Sequence, residues 1–262
     1  MSRIVLVADA SSDLGAATAR ALADAGHTVY AGIAPAAARS AEHKGHPQLR
    51  AIALDLADQR SVSVAVEEIL TETGRIDAVV HATGPVPRGP VESFTPYQLA
   101  QIYDAHVLST QRVNRSVLPQ MRERRDGLLV WVVPRQHDTA AYLALHIEAI
   151  TMIDHLVAGY ARELAGFGIE TTIVSPGTNP WLRTVFPDDT ATVQAYEDRY
   201  PGLVDHVDAT LAAPAFTDAD LASTAESIAA VVSSPKGSRP RRITGGVTPP
   251  SPRVRHEVPP WT

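Results

Sequence analysis

Short aliphatic runs alternate with amphipathic stretches along most of the chain. The runs predict β-strands at Ile4–Val7, His27–Ala31, Leu49–Ala53, Ala78–His81, Leu128–Val133, Glu170–Val174 and near Arg241–Thr244. The stretches between them predict helices at Ser61–Thr73, Pro96–Met121 (in two segments), Ala140–Phe167 and Asp218–Ser233, the last capped by Thr217 or Asp218. This alternation predicts an α/β fold with a parallel sheet covered by helices on both faces, because parallel strands are joined by crossover connections.

Length and composition agree with a single domain of this kind. The chain has 262 residues, of which 45% are hydrophobic, and this is enough for one large core. We assign the domain to residues 1–245. Residues 246–262 are expected to form an extended tail, because five prolines fall within Gly245–Thr262.

Composition also excludes several classes of function. Cysteine is absent, which excludes disulfides, thiolate catalysis and cysteine–metal sites. No apolar run approaches the roughly 18 residues of a membrane-spanning helix. No basic segment with a cleavage site precedes Ile4, so a signal peptide is not expected and the protein is expected to be cytoplasmic. A net charge of −6 without a basic stripe argues against nucleic acid as a partner.

The segment VADASSDLG, from Val7 to Gly15, joins the first strand to a helical pattern. A loop between a strand and a helix suits an anionic cofactor, because the positive end of the helix dipole lies there. Three glycines are typical of such loops, but Asp9 and Asp13 stand at two of those positions. Either Asp13 caps the helix, or the two carboxylates fill the anion site themselves.

Other motifs resemble those of the short-chain dehydrogenase/reductase family over nearly the whole chain. They are LDLAD at 54–58, VVHATG at 79–84, YDAHVLSTQRVNRSVLP at 103–119, LLVWV at 128–132 and ELAGFGIETTIVSPG at 163–177. No single motif is specific, but their order and spacing together are. The resemblance implies a single-domain, Rossmann-like, doubly wound sheet with its ligands at the carboxyl ends of the strands.

The resemblance also implies catalytic positions, and this chain departs from the family at the first two of them. A family Tyr exchanges the proton during hydride transfer, and a Lys four residues later lowers the pKa of that Tyr. Counting back from Glu163 places His146 at the Tyr position and Ile150 at the Lys position. Tyr142 is rejected as the family Tyr, because this choice needs four inserted residues inside a helix.

The two remaining positions depart from the family as well. His106 stands where the family has the Asn of its proton relay, and the Ser position falls at Val133 or Pro134. An imidazole titrates near neutral pH without a neighbouring cation, so His146 can act as a general base in place of a Tyr–Lys pair. Two alternatives remain open: drift at an inactive site, or a metal site formed by His81 together with His106 and His146.

These departures predict that NAD(P) binds weakly or not at all, and no cofactor or metal is expected. Residual contacts to a dinucleotide are expected in the loop from Ser12, Leu14 and Gly15. Asp55 matches the family Asp that touches the adenine, and His81 follows in the next strand.

The sequence favours a cofactor-independent acid–base enzyme, namely an isomerase, cyclase, dehydratase or lyase. In this interpretation His146 is the general base, and His106 supplies or stabilises the proton. One alternative is a non-catalytic homologue that binds a small molecule or a partner. The other alternative is an NAD(P)-dependent oxidoreductase with a displaced active site.

The resemblance places a substrate lid at about residues 178–216. This segment contains the aromatic residues Trp181, Phe186, Tyr196 and Tyr200. Aromatic side chains over a cleft indicate an apolar small-molecule ligand, although they can equally pack the lid onto the sheet.

A homodimer or homotetramer is also expected, because relatives pair through two long helices, here about His106–Arg124 and Ala140–Phe167. The apolar residues predicted for this contact are Val107, Val113, Val117, Met152, Leu156 and Tyr160.

Overall fold

A computed structural model describes residues 2–38, 46–81, 84–134, 141–176, 184–212 and 217–245. The strands are β1 (Ile4–Val7), β2 (Thr28–Ile33), β3 (Leu49–Ala53), β4 (Ala78–His81), β5 (Val86–Pro87), β6 (Gly127–Val132), β7 (Ile169–Pro176), β8 (Thr184–Val185) and β9 (Arg242–Gly245). The α-helices are α1 (Asp13–Asp24), α2 (Pro35–Ala38), α3 (Gln59–Thr73), α4 (Pro96–Tyr103), α5 (Ser109–Arg124), α6 (Ala144–Ala165), α7 (Thr190–Arg199), α8 (Leu203–Ala212) and α9 (Asp218–Ser233). The proposed tail, residues 246–262, lies outside the described residues.

Seven strands form one parallel sheet in the order β3-β2-β1-β4-β6-β7-β9. The chain leaves β1 toward β2 and β3, then returns to the other side of β1 with β4. This reversal of strand order is the place where ligands bind in open α/β sheets, at the carboxyl ends of the strands. The predicted Rossmann-like fold is therefore confirmed.

Each face of the sheet is buried against its own set of helices. Successive side chains of a strand point to opposite faces. Val5 and Val7 accordingly pack in the core formed with α1 and α9, whereas Leu6 packs in the core formed with α3, α5 and α6. Strands that are covered on both sides read as continuous aliphatic runs, which is why they were easy to recognise in the sequence.

The starts of α9 and α6 follow from the side chain or the backbone conformation of a nearby residue. Thr217 caps α9, since its Oγ accepts the N–H of Asp220 at 3.2 Å and the Asp220 carboxylate accepts the N–H of Thr217 at 3.0 Å. The helix predicted from Ala140 begins only at Ala144, because Tyr142 has a φ of 64° that a right-handed helix does not allow.

The two helical segments predicted within Pro96–Met121 are α4 and α5. They are joined by a π-helical turn, Asp104–Leu108, which carries His106. Such turns insert one extra residue into a helix and often occur at functional sites. Among the helices of the described ranges, none is long and apolar enough to cross a lipid bilayer.

Candidate functional site

The loop between β1 and α1 is a close-packed turn at the carboxyl edge of the sheet. Ser12 caps α1: its Oγ accepts the N–H of Gly15 at 3.1 Å and donates to the carbonyl oxygen of Asp9 at 3.3 Å. A Cβ atom at Gly15 would lie 1.8 Å from that carbonyl oxygen, so the turn admits only glycine there. Leu14 is buried and packs in the core beneath the loop. The turn therefore presents the positive end of the α1 dipole where ligands bind.

The two aspartates that stand at glycine positions differ in their surroundings. Asp13 is the exposed first residue of α1, and the cap is Ser12, so the interpretation of Asp13 as the cap is wrong. Asp9 is partly buried, and its Oδ1 accepts the N–H of Ser11 at 3.1 Å. The loop backbone thus already supplies a hydrogen bond to the Asp9 carboxylate.

The neighbouring strand ends complete this edge. A Cβ atom at Gly32 would lie 2.8 Å from the carbonyl oxygen of Ala8, so the ends of β2 and β1 approach each other closely. Asp55, just beyond β3, is exposed. Its Oδ1 accepts the N–H of Ala57 at 2.9 Å, and its own N–H donates to Ser61 at 2.9 Å. Asp55 is therefore held at the same edge as the loop.

His81, in contrast, lies inside the protein. Its Nε2 is 2.9 Å from Oδ1 of Asn114, and its ring stacks on Trp131 with 5.0 Å between the ring centroids. Burial lowers the pKa of His81 to about 4, and the hydrogen bond that its Nε2–H donates to Asn114 offsets this only in part. His81 is therefore a neutral imidazole packed in the core, and its predicted contact with a dinucleotide stays a prediction.

His106 holds the chain that follows β4. Its Nε2 is 2.9 Å from the carbonyl oxygen of Pro85, and a Cβ atom at Gly84 would lie 2.9 Å from its ring. A carbonyl oxygen only accepts hydrogen bonds, so Nε2 carries the proton. Burial lowers the pKa of His106, and the bond to Pro85 opposes this shift. The ring is therefore neutral near pH 7, with Nδ1 as an acceptor.

His146 is the third residue of α6 and is buried. Ile150 and Ile153 follow it on the same face of the helix and pack in the core of the sheet. Val133 and Pro134, at the end of β6, are buried too and carry no hydroxyl group. The π-helical turn packs against α6, so His106 and His146 lie on neighbouring elements. Over the described ranges, no group of three or more histidine, aspartate or glutamate side chains is arranged to hold a metal ion.

Residues 184–212, which we call the lid segment, pack over an apolar cluster next to the start of α6. Tyr142 and Tyr196 meet edge to face at 6.4 Å between ring centroids, and Tyr196 lies 6.4 Å from Tyr200. The buried members of this cluster are Val86, Tyr142, Leu143, Leu203 and Val207. Tyr196 and Tyr200 therefore pack the lid onto the domain, whereas Phe186 is 58% exposed and Trp181 lies outside the described residues.

Polar contacts fasten the start of the lid segment to α4. Gln98 is buried, its Nε2 donates to the carbonyl oxygen of Phe186 at 3.0 Å, and its Oε1 accepts the N–H of Asp188 at 3.2 Å. Arg88 donates its backbone N–H to Val185 at 3.0 Å. Sequence reasoning missed these contacts. Thr95 and Gln98 form a capping box at the start of α4, and the local sequence gives no sign that Gln98 also binds the lid segment.

A match to a known family of sequences identifies the family of this protein. Residues 3–180 match the sequence model described as short chain dehydrogenase. The chain belongs to the short chain dehydrogenase family.

One relative and two solved structures show what this chain is similar to. The chain is 27% identical over 180 residues to 3-ketodihydrosphingosine reductase of Bacteroides thetaiotaomicron. The aligned part is 67% of this chain and 63% of the relative, so this chain spans less than two thirds of the relative's length. Its fold is similar to that of a short-chain dehydrogenase from Streptomyces avermitilis (TM-score 0.75, 26% identity, 94% of this chain and 89% of the other). A metagenomic short-chain oxidoreductase in complex with NADP also shares the fold (TM-score 0.70, 16% identity, 94% and 98%).

These findings overturn two expectations. The prediction of a cofactor-independent isomerase, cyclase, dehydratase or lyase is wrong, because the chain belongs to a dehydrogenase family and is similar to a reductase. The prediction that NAD(P) binds weakly or not at all is contradicted as well, because the chain matches the short chain dehydrogenase model over residues 3–180 and a protein that shares its fold was solved in complex with NADP. Asp9 and Asp13 are therefore not enough to exclude a dinucleotide. The Asp9 carboxylate is hydrogen-bonded to Ser11 of its own loop, and Asp13 is exposed on α1.

Proposed function

We propose that this protein is an NAD(P)-dependent oxidoreductase that interconverts a ketone and a secondary alcohol on an apolar small molecule. The observation that carries the proposal is the turn at Gly15, where a Cβ atom would lie 1.8 Å from the carbonyl oxygen of Asp9. This turn and the cap at Ser12 are the shape in which a helix N-terminus accepts a pyrophosphate. The residues at this edge therefore fit a dinucleotide, although two family glycines are replaced.

The chain's own residues supply binding and orientation. Backbone groups of Ser12, Asp13 and Leu14 would hold the phosphates, since the N–H of Gly15 donates to Ser12, and the exposed Asp55 would lie toward the adenosine end. When bound, the nicotinamide supplies or accepts the hydride. Family membership and the reductase relative support this assignment.

His146 is the residue that we assign to proton transfer with the substrate oxygen. Tyr142, four residues earlier, is the other candidate for a displaced active site. Burial, followed by the charge of Glu197, raises the pKa of the Tyr142 phenol to about 12, so this hydroxyl does not give up its proton readily near pH 7. His146 lies in the first turn of the helix that carries the family's catalytic Tyr, and its burial keeps bulk water away. His106, whose Nε2–H is bonded to Pro85, orients the adjoining loop.

The substrate class follows from the lid. The cluster beneath it is aliphatic and aromatic. The relative named above reduces, by its name, a ketone on a long-chain lipid base. An apolar 3-ketone is therefore the first substrate class to test.

Titration of the purified protein with NADH and with NADPH tests the proposal directly. At least one of the two is expected to bind with a micromolar dissociation constant, measured by calorimetry, and to be oxidised in the presence of a long-chain 3-ketone. Absence of heat with both nucleotides at millimolar concentration would falsify the proposal.

The same proposal includes self-association as a homodimer or homotetramer. Val113 and Val117, predicted for the contact, are fully buried against the sheet, so they cannot form it. Leu99, Tyr103 and Leu108 are instead 37%, 44% and 38% exposed. They follow one another by about one turn along α4 and the π-helical turn, so they form an apolar stripe.

Light scattering is expected to give two or four times the 28.0 kDa of one chain. Tyr103→Glu places a charge in the stripe and is expected to yield 28.0 kDa particles. Tyr97→Glu changes a residue of α4 that is 71% exposed and is not part of the stripe, and it should leave the assembly intact. A wild-type protein that remains monomeric at micromolar concentration would contradict the assembly, and equal behaviour of the two variants would contradict the stripe.

A further inference from the structure

Tyr142 has a backbone conformation that a bulky side chain rarely adopts. Its φ is 64°, and only one other non-glycine residue of the described ranges, Arg125, has a positive φ. Arg125 ends α5, which is a common position for the left-handed conformation. Tyr142 precedes a helix instead, where a left-handed residue has no such role. A strained residue of this kind persists only where its surroundings hold it.

Contacts from two separate segments hold Tyr142. Its carbonyl oxygen accepts the N–H of Gly89 at 2.9 Å, beyond β5. Its ring is buried, meets Tyr196 of α7 edge to face, and packs in one cluster with Leu203 of α8. Glu197 of α7 also acts on the Tyr142 hydroxyl and contributes, after burial, to its raised pKa. The lid segment therefore supplies much of what keeps Tyr142 in place.

The helix that follows depends on this arrangement. Leu143 is the N-cap of α6 and provides no side-chain cap, whereas Ser12, Asp58, Thr95, Asp189 and Thr217 each cap their own helix through a side chain. A helix start without a cap leaves N–H groups unsatisfied and is easily frayed. The first turn of α6, which includes His146, is thus positioned by packing on Tyr142 and Leu143.

Within the lid segment, α7 is the part that is weakly held. No residue of α7 is buried, and Tyr196 reaches the domain through its hydroxyl, which donates to Glu92 at 2.9 Å, and through its contact with Tyr142. Segments with few buried contacts open at low free energy. Loss of the lid contacts would let the backbone of Tyr142 leave the left-handed region, and this would shift the residues that follow it.

We infer that Tyr142 is a positioning residue that couples the seating of the lid segment to the first turn of α6. The seating of the lid segment and the ordering of the first turn of α6 are then coupled in one equilibrium. When the lid segment is seated, Tyr142 is held in its strained conformation and the first turn is ordered. The consequence for His146 rests on the proposed function, since it matters only if His146 transfers the proton. The coupling itself does not depend on any cofactor or substrate.

Hydrogen–deuterium exchange of the whole protein, without nucleotide, tests the coupling. Tyr142→Ala is expected to accelerate exchange about tenfold or more both in α7 and α8 and at residues 147–150 of α6. Tyr142→Phe keeps the ring and is expected to restore most of the protection. Tyr97→Ala removes an exposed tyrosine and serves as the matched control. Slow exchange in β1 and β6 establishes that each variant remains folded.

The decisive variant lies in the lid. Leu203→Ala removes a buried side chain of α8 and should accelerate exchange at residues 147–150 when it is the only substitution. In a protein that already carries Tyr142→Ala, it should cause no further acceleration at these residues. This non-additivity separates coupling through Tyr142 from a local structural effect. A Leu203→Ala protein with a loosened lid and an unchanged first turn of α6 would overturn the inference, and so would additive effects of the two substitutions. Neither result bears on whether NAD(P) binds.

Discussion

Replacing His146 with alanine is expected to lower kcat for ketone reduction by about two to four orders of magnitude, the usual contribution of a positioned acid–base group. His146 is buried in the first turn of α6, and the side chains of Val133 and Pro134, at the end of β6, have no proton to exchange. Nucleotide binding should be little changed, because the proposed cofactor site is the β1–α1 turn. The measurement is the rate of NADPH oxidation with a long-chain 3-ketone, at saturating cofactor.

Two controls make this experiment specific. His155→Ala removes an exposed histidine from the same helix and should retain wild-type kcat. Free imidazole should partly restore the rate of His146→Ala, because the substitution leaves a cavity where a proton carrier can bind. If His146→Ala turns over at the wild-type rate, another group moves the proton, although the oxidoreductase assignment stands.

Valine at position 15 is expected to weaken NAD(P)H binding by about 100-fold or more, which corresponds to about 2.8 kcal/mol. Even one added carbon would lie 1.8 Å from the carbonyl oxygen of Asp9, so the loop must move away from the geometry that receives the phosphates. Calorimetric titration of Gly15→Val against the wild type measures the effect. Gly159→Ala adds a carbon to a helical glycine with nothing within 4 Å and should bind normally.

The opposite change at the same loop should strengthen binding. Asp9→Gly removes a carboxylate close to the phosphates, and the tighter binding should diminish at high salt, because charge repulsion is screened there. Thermal unfolding identifies any variant that has lost its fold. Wild-type affinity in folded Gly15→Val would show that the nucleotide binds elsewhere on this chain.

The sequence predicted the features that depend on a periodic pattern of apolar residues or on residues close together in the chain. Aliphatic runs located β1, β3 and β4 at their observed bounds, because strands buried on both faces consist of little else. The cap at Thr217 followed from side-chain chemistry within four residues. The order of motifs identified the family, since each motif belongs to one strand–helix unit.

Side-chain direction and long-range partners lay beyond the sequence. His81 follows the family pattern, yet only the fold shows that its ring stacks on Trp131 in the core. The hydrogen bond from the N–H of Ser11 to Asp9 could not be predicted, because it depends on the turn geometry. Nothing local marks Tyr142 as left-handed, since its conformation is imposed by segments that are 50 or more residues distant along the chain. These are tertiary effects that override local preference.

The close fit of His106 over Gly84 has an evolutionary consequence. A methyl group at position 84 would lie 2.9 Å from the imidazole, which no ordinary Cβ contact tolerates. A histidine at 106 therefore restricts position 84 to glycine, and a larger residue at 84 requires a smaller one at 106. The two positions are expected to covary as a unit across descendants of this chain, even though 22 positions separate them.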